Sequence, residues 1–375
     1  MNEDERVKLT TSCRDTDRIP KVADAGEVRT TPEGRVQVMH NGVLVVEGGY
    51  YGDWMTEIIR TLRGHHEPQE EVVFHEIVER LAADEGAPTV VELGAFWSYY
   101  TLWSLQRMPA ARAIVVEPDP NNLEVGRTNL RLNGREAEVL QAAVGDVARP
   151  PQPFMCESDG QVRSVPTVDL RSLLDRYQLE RIDLLLADVQ GAETALLEGA
   201  GQLLADHVRF VVVSTHHHAI SGDPLTHQRC RDLLVRRGAH IIAEHTVAES
   251  FSGDGLIAAS FDRRDEDLVV TVSHARPCDS LFGDPLVDLA QERQESRAAL
   301  SASEAEAESL RNEVSRIADE VARLRAELTD TGAELAAIQA TATWRLHERL
   351  QTSRAGRALL AGGSRAARAL PVRTR

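Results

Sequence analysis

Short apolar runs alternating with helically spaced ones dominate residues 89–260 of this chain. Runs at 89–93, 112–117, 138–143, 182–187, 208–214, 240–246 and 255–260 are rich in Val, Ile and Leu and predict strands. Between most of them apolar residues recur three and four apart, predicting helices near 98–107, 120–132, 168–178, 191–204 and 225–237. Strands that alternate with helices build a mostly parallel sheet covered on both faces. Only VAESFSGDG separates the last two strands, too short for a crossover helix, so these two are expected to pair antiparallel.

The flanks have other periods. RVQVMHNGVLVV (35–46) alternates around Asn41-Gly42, a hairpin signal. DWMTEIIRTLRG then predicts a helix ending at Gly64, and Pro68 opens another on which Val73, Phe74, Ile77, Val78 and Leu81 share a face. Residues 1–33 are polar and expected to be loosely ordered. Past 285 the chain turns to Ala, Glu, Arg and Leu. There Leu310, Val314, Ile317, Val321, Leu324, Leu328, Leu335 and Ile338 follow alternating steps of four and three, with Thr331 filling one slot. That seam predicts a coiled coil of roughly four heptads, and with it a homo-oligomer. The expected organisation is a polar segment, hairpin and helix over 1–64, a catalytic domain over 65–280, a coiled coil over 285–342 and a basic tail over 343–375.

Composition narrows the function. Hydrophobic residues make up 42% of 375, enough for a real core. Net charge is −17, and residues 345–375 hold eight arginines against Glu348 alone, so the acidity lies before them. An acidic body repels phosphates, which argues against bulk nucleic-acid binding and leaves only the tail to meet an anionic partner or membrane surface. No run approaches the 18 apolar residues of a membrane span. The N-terminus, MNEDERVKLTTS, has no apolar secretory core, and Cys13, Cys156, Cys230 and Cys278 form no C-x-x-C pair; a cytoplasmic location with reduced thiols is the expectation.

The chemistry is expected in VVELGAFWSYYT (90–101), where a strand ends in Glu92 and turns at a single glycine, Gly94. A dinucleotide fingerprint requires three glycines, so a nicotinamide dehydrogenase fails here. The next strand ends in AIVVEPDP, placing Glu117 where a carboxylate accepts both ribose hydroxyls of a nucleoside. An adenosine cofactor without pyrophosphate, S-adenosylmethionine, fits that order best.

These residues, together with IVVEPDPNNLEVGRTNLRLNG, AAVGD and IDLLLADVQGAETALLEGA, make the chain resemble the FkbM family of S-adenosylmethionine-dependent methyltransferases over about residues 65–262. The resemblance implies an α/β fold, the class I methyltransferase (Rossmann-like) sheet of seven strands with the last antiparallel, here followed by the C-terminal coiled-coil helix. It implies that Glu92, Gly94 and Ala95 line the methionine side of the cofactor, that Glu117 holds the ribose, that Asp119 and Asn122 flank the adenosine, and that Asp146 lies near the adenine. The family usually shows Asn and Gly where this chain has Phe96 and Ser98, and Lys and Glu where it has Ala187 and Gln190.

In an open α/β sheet the ligand lies beyond the carboxyl ends of the strands. Asp188, STHHH (214–218), His245 and the hairpin tip ESFSGDG (249–255) all reach that edge. Methyl transfer to oxygen needs a base, and His216 or His217 suits it, with Asp188 beside them. A divalent metal held by Asp188 with a histidine or Asp254 is the alternative. His65, His66 and Glu70 are candidates for a lid or substrate wall, and Tyr50, Tyr51 and Trp54 for aromatic surface. The expected activity is O-methylation of a hydroxyl on a sugar, glycan or glycosylated natural product. The competing reading is a catalytically reduced module that scaffolds a glycan-assembly complex through its coiled coil.

Overall fold

The computed structural model describes residues 2–275 and 283–358, so Cys278 and the tail arginines 365, 368, 373 and 375 lie outside the described residues. The chain forms two compact units, Met1–Glu292 and Arg293–Arg375.

In the first unit, strands β1 (Val28–Thr31), β2 (Gly34–Val38) and β3 (Leu44–Val46) make a small antiparallel sheet. The hairpin expected around Asn41-Gly42 is the β2–β3 pair, with Val36 opposite Val46. Seven strands build the main sheet: β4 (Thr89–Leu93), β5 (Arg112–Val116), β6 (Glu138–Leu140), β10 (Ile182–Ala187), β11 (Val208–Thr215), β12 (His240–His245) and β13 (Gly255–Ser260). Their order is β12-β13-β11-β10-β4-β5-β6. β13 runs antiparallel to both its neighbours, and the other pairs are parallel. This is the seven-stranded arrangement the resemblance implies.

Side chains alternate between the two faces of the sheet, as the period of two requires. Val90, Leu184, Leu186, Phe210 and Val212 bury themselves under helices Pro68–Ala83 and Tyr99–Arg107. Val91, Leu185, Val211 and Val213 pack beneath helices Leu170–Tyr177, Glu193–Ala200 and Thr226–Arg236. A fully covered parallel sheet explains why its strands are continuously apolar.

Three features depart from expectation. Residues 2–33 are ordered: helix Glu3–Ser12 starts at an Asn2–Glu5 capping box, Thr10 donates to the Phe251 carbonyl at 2.7 Å, and Cys13 and Ile19 are buried. Its helix has almost no apolar face, so tertiary contacts and caps hold what periodicity does not signal. The expected strand 138–143 stops at Leu140. Ala143–Val144 (β7) joins a second small sheet with β8 (Arg149–Met155) and β9 (Val162–Val168), two strands the pattern did not reveal. The helix expected over 191–204 is two helices, Glu193–Ala200 and Leu203–His207, broken at Gly201, whose φ is +53°.

Residues 1–64 share the main core. Met39, Val43, Val45 and Tyr50 cluster with Tyr99, Leu102 and Trp103, and the Asn133 side chain bonds both backbone groups of Leu44, at 2.9 and 2.7 Å. Cys13, Cys156 and Cys230 are buried free thiols.

One helix runs Gly283–Ala340 and another Ala342–Thr352. Along the first, every seam residue from Leu310 to Ile338 is exposed, from 41% at Val321 to 73% at Leu328.

Candidate active site

A cleft of about 690 Å³ opens at the carboxyl edge of the main sheet, a size in the range of small-molecule sites. Its floor is the ends of β4 and β10 with the loops that follow them. β8–β9 contributes Phe154, Met155 and Glu157, and the N-terminal segment contributes Tyr50 and Tyr51.

Glu92, Gly94 and Ala95 line this cleft, as do Glu117, Asp119 and Asn122. Glu117 is pre-oriented: one carboxylate oxygen accepts the Phe96 amide at 3.0 Å and the other the Asp119 amide at 2.9 Å. Each oxygen keeps a lone pair for a ligand hydroxyl. Burial pushes Glu117 up to about 7 against those two amides, and burial likewise pushes Glu92 up to about 7 although the Thr101 amide bonds it at 2.9 Å. Asp119 caps helix Pro120–Leu132 and also accepts both the amide and the hydroxyl of Ser158, from the β8–β9 connection, at 2.9 and 2.8 Å. Asp146 is a correction. Its carboxylate is half-exposed, pairs with Arg149 at 2.6 Å and does not line the cleft.

Gly94 serves the backbone more than a ligand. With φ at +75°, a Cβ there would lie 1.6 Å from the Asp188 carbonyl oxygen, so the turn after β4 fits against the end of β10 only as glycine. Phe96 and Ser98, where the family usually has Asn and Gly, adopt φ of +40° and +59°. These are left-handed positions that Asn and Gly tolerate best. Asn129 pins this loop by donating to the Trp97 carbonyl at 2.9 Å while accepting the Val46 amide at 2.8 Å. The loop presents Phe96 and Trp97 to the cleft, with Trp97 stacked on Tyr50 at 4.5 Å and an interplanar angle of 3°. Trp54 stands behind this wall, stacked on Tyr51 and covered by Arg6.

Of the expected catalytic residues, only Asp188 lines the cleft. His216 is buried behind it, with Nδ1 2.6 Å from Glu193 and Nε2 3.2 Å from Asp188 and 3.7 Å from Asp254. Burial works against charge on this imidazole, but Asp188 and Glu193 outweigh it and hold its pKa up to about 11. A protonated imidazolium has no lone pair with which to accept a proton. His217 caps a short helix by accepting the Ala219 amide at 3.3 Å. His245 is buried against the Thr246 carbonyl, and burial lowers it to about 4. Glu193, which sequence reasoning missed, is fully buried; the signal was an acidic residue at the very start of a helix rich in apolar residues.

The HHE segment divides. His66 and Glu70 line the cleft with Glu67, whereas His65 is buried against Glu71 and stacks on His40. Burial opposes charge on His66, but Glu67 at 3.3 Å and Glu71 at 2.5 Å raise it to about 10. Burial raises Glu70, as does nearby Glu67, while the Ser214 hydroxyl donates to it at 2.7 Å.

Among the described residues the one group spaced to share a metal ion is His40, His65 and Glu71, away from Asp188. The two rings stack at 4.3 Å and 17°, so their in-plane lone pairs run side by side and do not converge. His40 Nδ1 is also held by the Tyr99 hydroxyl at 2.9 Å. Asp188 and His216, two of the residues named for the alternative metal site, pair with each other at 3.2 Å.

Residues 84–241 match the family model described as the methyltransferase FkbM domain. Over these residues the chain is similar to methyltransferase FkbM domains. Curated relatives include the Transmembrane O-methyltransferase of Propithecus coquereli, 31% identical over 146 residues, which are 36% of this chain and 46% of that protein. The protein of the same name from Macaca mulatta is also 31% identical, over 36% of this chain and 43% of its own length. The chain thus spans about half the length of the curated relatives it matches. Among solved structures, precorrin-6y C5,15-methyltransferase from Geobacter metallireducens aligns at 15% identity and a TM-score of 0.33, over 50% of this chain and 87% of that one. The relatives' name overturns the expectation of a cytoplasmic location. Among the described residues, no helix is long and apolar enough to cross a membrane.

Proposed function

We propose that this chain is an S-adenosylmethionine-dependent O-methyltransferase acting on a hydroxyl of a sugar, glycan or glycosylated natural product. The observation that carries the reading is Glu117, held by two backbone amides at the end of β5 with lone pairs left toward a cleft in the methyltransferase FkbM domain. Glu92, Gly94 and Ala95 hold the methionine side, Glu117 the ribose, and Asn122 with the Asp119 turn the adenosine. Bound there, S-adenosylmethionine supplies an electrophilic methyl group on sulfur. The remaining chemistry belongs to Asp188. Burial raises this carboxyl above the usual range, which strengthens it as a base, and His216 orients it from behind. Asp188 takes the acceptor hydroxyl's proton as the oxygen is alkylated. His216 thus acts as a positioning residue in place of the free base, and His217 has no direct part.

Residues 310–338 supply a coiled coil that joins two copies, because an apolar seam on a charged helix, interrupted here only by Thr331, is stable in water when covered. Residues 65–280 carry the catalysis, and the basic tail after 343 meets an anionic partner or surface. Calorimetric titration of S-adenosylmethionine tests the cofactor, and mass spectrometry of glycans incubated with it tests the reaction through a gain of one methyl. Absence of S-adenosylmethionine binding ends the reading. Binding without turnover on any acceptor points to the scaffold instead.

A further inference from the structure

The cleft is strongly and unevenly acidic, and this bears on its acceptor, an inference that rests on the methyl-transfer reading. The sheet order separates two ends. β5, with Glu117, lies on one side of β4, while β10 and β11, with Asp188 and Ser214, lie on the other. At the β10–β11 end the cleft wall carries Glu67, Glu70 and Asp188, and no lysine or arginine lines the cleft anywhere among the described residues. The cations nearby are already engaged: His66 lies between Glu67 and Glu71, and His216 between Asp188 and Glu193. Glu70 accepts the Ser214 hydroxyl at 2.7 Å. Beside Glu67, which accepts the Tyr100 hydroxyl at 3.2 Å, stands an aromatic wall of Tyr50, Phe96, Trp97 and Tyr100. Aromatic faces attract cations and cover the apolar faces of sugar rings, while carboxylates repel phosphate, sulfate and carboxylate.

We infer that the acceptor is an amine-bearing sugar or polyol, its ammonium seated by Glu67 and Glu70 against the aromatic wall, with a neighbouring hydroxyl facing Asp188. The carboxylates provide charge-assisted hydrogen bonds that a neutral or anionic ring cannot match.

The test uses full-length protein, with and without S-adenosylhomocysteine, titrated with the glucosamine disaccharide and with the same disaccharide N-acetylated, which differ in the amine charge. The free amine is expected to bind at least about tenfold more tightly, one charge-assisted contact's worth. The Glu67→Gln/Glu70→Gln double variant, shown folded by its thermal melt, is expected to lose that preference while keeping S-adenosylmethionine affinity within about twofold. Equal binding of both sugars, binding of neither, or a preference that survives in the double variant overturns the inference. Failure of S-adenosylmethionine to bind while the amine preference holds overturns the methyl-transfer reading and leaves the cation site standing.

Discussion

At the scale of single residues, Glu117 and Ser98 make the sharpest predictions. Glu117→Ala removes an acceptor whose two backbone partners remain fixed, so S-adenosylmethionine binding is expected to weaken by about 1–3 kcal/mol by calorimetry. The same carboxyl sets a pH dependence. Glu117 and Glu92 both titrate near 7, and protonation removes acceptor capacity, so cofactor affinity is expected to fall as pH drops from about 8 to 6. Affinity constant across that interval would refute the assignment. Ser98 sits at φ +59° with its hydroxyl buried and, among the described residues, without a hydrogen-bond partner. Ser98→Gly relieves the left-handed conformation at some cost in unfolded-state entropy and is expected to stabilise the protein by about 1 kcal/mol in urea unfolding. Both loops were visible in the sequence as an acidic strand end and a lone glycine. That Gly94 fits the Asp188 carbonyl was not, because nearly a hundred residues separate the two positions.

At the scale of elements, β8 and β9 were invisible to pattern reading and matter most for access to the cleft. They carry Pro150, Pro151, Pro153 and Pro166 and expose Met155 and Val162, so no clean alternation marks them. Their connection is tied to the nucleoside end through Ser158 and Asp119. The catalytic histidines could not be ranked from sequence for a related reason. Three consecutive histidines look equivalent in sequence, and it took the fold to show that His216 meets Asp188, Glu193 and Asp254, which arrive from other elements. Asp188→Asn keeps the shape and removes the base, and turnover is expected to fall about 10²–10⁴-fold with S-adenosylmethionine affinity little changed. Normal turnover in that variant would discard Asp188 as base.

At the scale of the molecule, charge and association set the behaviour. His66 and His216 are held near 10 and 11, above the ordinary 6.5 of an unfolded histidine. Raised folded-state values mean the folded protein binds more protons, so their contribution is complete below pH 6.5 and is lost as pH rises toward 10–11. The thermal midpoint is expected to decline between pH 7 and 10, and less steeply in His216→Asn. The proposed coiled coil is tested by mass: full-length protein is expected to scatter light as a dimer, and a chain ending near residue 285 as a monomer. Equal masses for both would dismiss the coiled coil.

The periods of the sequence by themselves determined the sheet, its reversed last strand, the β2–β3 hairpin and the long helix, because local side-chain alternation is set by which face is buried. They also determined Glu92 and Glu117, which stand at strand ends where an apolar run meets a charge. Tertiary structure alone decided that residues 2–33 are ordered, that Asp146 turns away to Arg149, and that His216 is enclosed by Glu193 and Asp188 as a cation. Each of these depends on the desolvation and pairing of groups far apart in the chain, and no local period records which charge a folded neighbour will supply.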